Sequence, residues 1–151
     1  MYENYTRQAL PDKNYRELLG TAICAFNANN AFMIENLLSI SDRKTWWDLI
    51  DEKSGTIGDL ASNCRDYRDI VPEELKQLFQ DIVKRRNRII HSYQITSNTE
   101  SQDLDGQILA TKDNKTNVQF IITEEYLKEF INDNAVLSDK LYNLRDSLSN
   151  N

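Results

Sequence analysis

A single histidine, His91, and only two cysteines, Cys24 and Cys64, occur among the 151 residues of this chain. The cysteines stand in no metal-ligand spacing, and no carboxylate pair at helical spacing accompanies the histidine, so no metal centre and no other cofactor is expected. A glycine-rich phosphate loop is missing as well. The aspartates of SQDLDG (101–106) alternate like part of a calcium loop, but the flanking ligands of an EF-hand are not there. No apolar run reaches the roughly 18–20 residues that span a membrane. The opening MYENYTRQAL also lacks the apolar stretch of an export signal. The expected setting is therefore cytoplasmic, off the membrane, with both cysteines reduced. A net charge of −6 argues against nucleic acid binding over the whole surface, yet leaves room for a local basic patch.

With four glycines and two prolines the chain has few breakers, which favours helices. Hydrophobic residues at 40% and charged residues at 28% describe a globular chain, expected to form one domain over 1–151. Apolar residues at three- and four-residue steps predict long helices over about 14–40, 72–91 and 124–148. Asp12 and Thr123 are the expected caps of the first and last, and Pro72 with Glu73 and Glu74 suits the start of the middle one. Within the first helix, FNANN (26–30) reads as a solvated face or as a polar notch for a partner helix or ligand. Shorter helical pieces are expected around Trp46 and Trp47 and after a break at Ser54 and Gly55. A polar loop over 97–106 precedes two apolar runs, QILAT and NVQFIIT, which predict a β-hairpin at about 107–123. The fold class is all-α, a helical bundle with that small hairpin inserted before the final helix.

The stretch KRRNRIIHSY (84–93) carries the chemistry. On a helical wheel, Leu75, Leu78, Phe79, Ile82, Val83, Ile89 and Ile90 fill an arc of roughly 140°. Lys84, Arg85 and Arg88 fall outside it, where charges belong. Arg86 falls near its middle, where an unpaired charge would cost several kcal/mol. Asn87 and His91 lie one turn apart along the edge of the stripe, with Tyr93 just beyond. A purely structural explanation pairs Arg86 with Glu35 of the first helix and makes His91 a helix cap.

The R-x4-H pattern of Arg86 and His91, with a polar Asn87 directly after the arginine and Tyr93 completing R-x4-H-x-Y, resembles the motif of the HEPN superfamily, and in particular of its ribonuclease toxins. The resemblance covers about ten residues in motif and most of the chain in helical arrangement; the hairpin is a departure from the most compact members. It implies a metal-independent endoribonuclease cleaving single-stranded RNA. It further implies a homodimer in which both motifs face one cleft, a toxin–antitoxin or phage-defence role, and a cognate antitoxin of nucleotidyltransferase type.

The residue chemistry agrees with that expectation. Cleaving RNA without a metal needs a base for the 2′-OH proton, an acid for the leaving 5′-oxygen and positive charge on the phosphorane. Histidine suits the proton transfers and arginine the charge. His91 is thus expected in acid/base chemistry, Arg86 on the phosphate and Asn87 in orientation. Tyr93, Lys84, Arg85 and Arg88 are expected to contact substrate, the three cations as a basic rim. With one histidine per chain, a two-histidine mechanism needs two chains. The competing expectation is a non-catalytic HEPN-like module that binds RNA, a nucleotide or a protein, with Trp46 and Trp47 at an interface.

Overall fold

The computed structural model describes residues 2–97 and 106–150. The helix α1 (Lys13–Ile40) starts where Asp12 accepts a hydrogen bond from the Tyr15 amide at 3.0 Å, and ends at Ser41 in an extended conformation. Three short helices follow: α2 (Trp46–Ile50), α3 (Ser54–Asn63) and α4 (Arg65–Arg68). A capping box between Thr45 and Asp48 opens α2. The helical stretch expected after Ser54 and Gly55 begins at Ser54 itself, and extended backbone at Cys64 divides it in two. The helix α5 (Glu73–Ile90) follows Pro72, and α6 (Glu124–Ser149) begins under the Thr123 cap.

α1 and α6 form the longest contact of the bundle. Asn14 meets Glu124, Asn29 meets Asn134 and Asn36 meets Leu141, so the two helices run parallel. α5 runs antiparallel to α6, with Glu74 at Lys140 and Arg85 at Asp133. Phe26, Met33, Leu37, Phe79, Ile82, Phe130, Leu137 and Leu141 are completely buried between the three. Gly58 brings α3 close onto α5, since a Cβ there would stand 3.3 Å from Gln80 Cγ. Ile90, expected on the apolar stripe, is 50% exposed at the end of α5, although Ile89 beside it is buried in the core.

Within the amide-rich stretch of α1, Asn29 forms a polar notch for a partner helix, while Asn27 is exposed. Asn29 and Asn134 are both buried, and the Asn29 amide donates to the Asn134 backbone carbonyl at 2.7 Å and to its side-chain oxygen at 3.1 Å. Asn134 in turn donates to the Phe130 carbonyl. Replacing Asn29 with leucine strips a donor from two buried oxygens, and should lower stability by about 2 kcal/mol, measured by urea unfolding.

The sheet differs from expectation. Besides β2 (Gln107–Lys112) and β3 (Gln119–Ile122) it contains β1 (Tyr93–Thr96), and the antiparallel order is β1-β2-β3. The motif-bearing helix therefore runs directly into an edge strand, and the protein is mainly α with a three-stranded sheet. Of the polar loop expected over 97–106, the segment 98–105 lies outside the described residues, and with it most of SQDLDG.

Tyr15 joins the sheet to the bundle. Its buried hydroxyl donates to the Ile122 carbonyl at 2.7 Å, and burial pushes its pKa up to about 12. Burial also raises Tyr67 and Tyr126. An unfolded tyrosine ionises near pH 10, so between about 10 and 12 the folded chain binds more protons than the unfolded one. This stability is complete below pH 10 and is lost as pH rises through that window. Urea unfolding at stepped pH should show the decline, and Tyr15→Phe should make it shallower.

Candidate functional site

The eight residues from Arg86 to Tyr93 span the last turn of α5, its C-cap and the first position of β1. Arg86 is partly buried, as its place on the apolar stripe requires. One guanidinium nitrogen donates to Ser54 Oγ at 3.0 Å, the other to Asn87 Oδ1 at 2.9 Å. The guanidinium carbon lies 4.9 Å from the centre of the Phe26 ring. Among the described residues no carboxylate pairs with it. The ion pair with Glu35 expected on structural grounds is not formed. Glu35 binds Arg145 at 2.9 Å on the surface between α1 and α6, well along the bundle, and so does not support Arg86.

A guanidinium offers five N–H donors, of which Ser54 and Asn87 engage two. A neutral socket of hydroxyl, amide oxygen and aromatic face holds the group without cancelling its charge. Ser54 and Asn87 also line a groove of about 270 Å³ between α3 and α5, together with Gly55, Gly58, Asp59, Gln80, Val83 and Lys84. An anion entering this groove would meet the side of the socket.

Asn87 therefore orients Arg86; among the described residues its side chain makes no bond to His91. His91 is the C-cap of α5, with its backbone N–H on the carbonyls of Asn87 and Ile89. That much of the structural explanation is observed. Its imidazole is exposed and has no hydrogen-bond partner among the described residues. Tyr93 is 47% exposed and sits in a cross-strand row with Ala110 and Ile121.

The other cations do not form a common free rim. Arg85 turns to α6, where it pairs with Asp133 and lies 5.5 and 5.4 Å from the rings of Tyr126 and Phe130. Burial raises the pKa of Tyr126, against the pull of that guanidinium. Arg88 grips the β2–β3 turn, donating to the Lys112 carbonyl at 2.9 Å and to Asn114 Oδ1 at 2.7 Å. Lys84 is exposed beside Asp81 at 3.0 Å and lines the groove. Trp46 packs against the core, while Trp47 is 74% exposed. Cys24 and Cys64 are free thiols.

Sequence reasoning missed Ser54 and Phe26 as the partners of Arg86. Ser54 had read as a helix break, although it is the first residue of α3. Phe26 is completely buried and belongs to the core as well. A helical wheel could not reveal either, because both come from other elements. Among the described residues no group of three histidine, cysteine or acidic side chains is placed to hold a metal ion, and no helix is long and apolar enough to cross a membrane. In comparisons with known proteins, no family model, no curated protein and no solved structure matches this chain.

Proposed function

We propose that this chain is a metal-independent endoribonuclease of the HEPN type, working on single-stranded RNA as a homodimer. The reading rests on one observation: Arg86 lies on the apolar stripe of α5 yet is held by Ser54, Asn87 and Phe26 without a counter-charge. A structural arginine in that position would ordinarily be paired with a carboxylate. One left cationic beside a groove is suited to an anion, and a phosphodiester is the anion that the adjoining histidine has the chemistry to process.

In the proposed reaction a histidine takes the proton of the 2′-OH, the 2′-oxygen attacks phosphorus, and the 5′-oxygen leaves with a proton from a second histidine. The products are a 2′,3′-cyclic phosphate and a 5′-OH. Arg86 holds the negative charge that builds on the phosphorane. His91 of this chain and His91 of a second copy supply the base and the acid, which is why the reading includes a dimer. A toxin or phage-defence role with a nucleotidyltransferase-type antitoxin follows from the motif resemblance.

The alternative is a non-catalytic module of the same kind that binds RNA, a nucleotide or a protein. It is favoured by Arg85 and Arg88, which are engaged in contacts within the chain, and by the unoriented imidazole of His91. Incubation of the purified protein with single-stranded RNA in EDTA separates the two. The proposal requires cleavage by wild type and its loss in His91→Ala. Binding without cleavage supports the alternative.

A further inference from the structure

We propose that Ser54 is a positioning residue for the reaction, aiming Arg86 while leaving it fully charged; this rests on the ribonuclease reading above. Ser54 is 8% exposed and is the only partner of Arg86, among the described residues, that is a hydrogen-bond acceptor from another helix. Asn87, the other acceptor, neighbours Arg86 on α5 and cannot by itself fix the guanidinium against α3. The Phe26 face restrains the plane of the group, and the hydroxyl fixes its rotation about that face. Three N–H donors of the guanidinium have no partner among the described residues, and Ser54 and Asn87, which engage the other two, line the adjoining groove together with Lys84 and Asp59.

Residue type matters at this place. An aspartate or glutamate at 54 would hold Arg86 at least as firmly, but would neutralise it. It would also suit its position, since α3 starts at Ser54 and its N-cap, Lys53, makes no side-chain cap hydrogen bond. A carboxylate in the first turn of a helix is favourable to the dipole. The more stabilising acidic residue is therefore the one that spoils the site, and serine provides the hold without the charge.

The test is Ser54→Asp, with Ser54→Ala and Ser54→Thr, read by thermal melting and by cleavage of single-stranded RNA in EDTA. Ser54→Asp is expected to melt several degrees higher than wild type and to lose roughly 100-fold in kcat. Ser54→Ala is expected to lose roughly 10-fold through a looser guanidinium, and Ser54→Thr, which keeps the hydroxyl, should stay close to wild type. A purely structural serine would let stability and activity move together. If wild type cuts and both Ser54→Asp and Ser54→Ala cut as fast, the positioning role is overturned and the ribonuclease reading stands. If wild type cuts no RNA, that reading fails and the role of Ser54 falls with it.

Discussion

Arg86→Met is expected to abolish RNA cleavage, by roughly 1,000-fold or more, while leaving the protein as stable as wild type or more so. The two halves of this expectation come from the same position. Arg86 occupies the centre of the apolar face of α5, where its guanidinium is partly desolvated and faces no carboxylate. Methionine fills that volume without an ionic group to desolvate. It leaves two oxygens, on Ser54 and Asn87, without their donor, but both line the groove and can turn to water. The lost contact with Phe26 is worth about 1 kcal/mol, so the terms are close to balance. Arg86→Lys separates charge from geometry. It keeps a cation, but an ammonium cannot reach Ser54 and Asn87 in the planar fork that a guanidinium provides. A loss of roughly 100-fold is expected, with binding of RNA less affected than kcat. Melting temperatures and single-turnover cleavage rates measure both variants. Loss of folding in Arg86→Met, with no loss of activity in Arg86→Lys, would assign Arg86 to stability.

The second large effect concerns the number of chains in the site. A His91→Ala chain is expected to lose at least 100-fold in activity and to poison wild type when the two are mixed and allowed to exchange. If only dimers with two intact motifs cut, activity follows the square of the wild-type fraction. An equal mixture should then retain about a quarter of the activity of the same total amount of wild-type protein, where independent sites would retain about half. The single histidine makes this experiment unusually direct, because no other imidazole in the chain can substitute. His91 is well placed for such sharing. It caps α5 with its backbone alone, and its exposed side chain has no partner among the described residues.

The long helices were legible because their determinants are local. Caps at Asp12 and Thr123 and apolar periodicity fall within each segment, and the observed helices follow them closely. The amides of α1 were legible only as a choice between solvent and a notch, since the deciding partner, Asn134, lies 105 positions away. β1 was missed because YQIT is short, follows a helix directly and finds its pairing partner across the segment 98–105. At the candidate site, the wheel placed Arg86 on the apolar stripe and Lys84, Arg85 and Arg88 off it. Arg85, Arg86 and Arg88 are all half-buried, however, and differ in their partners rather than in burial. The wheel could not say what faced Arg86. Glu35 was a reasonable partner by charge and hydrophobic neighbourhood, but α1 presents Phe26 at that level, and Glu35 lies nearer the far end of the helix, against Arg145. The rim assignment of Arg85 and Arg88 failed for a related reason. The positions of Arg85 and Arg88 face α6 and the β2–β3 turn rather than open solvent, so these two long cationic side chains are drawn into contacts within the chain, while Lys84 is exposed.

The central claim is that this site cleaves RNA by attack of its own 2′-hydroxyl, with Arg86 and His91 as the working groups. Analysis of the RNA ends after digestion in EDTA tests it most directly. Fragments ending in 2′,3′-cyclic phosphate and beginning with 5′-OH, produced by wild type and absent with His91→Ala, are the predicted result. Intact RNA, cleavage that persists in His91→Ala, or fragments ending in 3′-OH would contradict it.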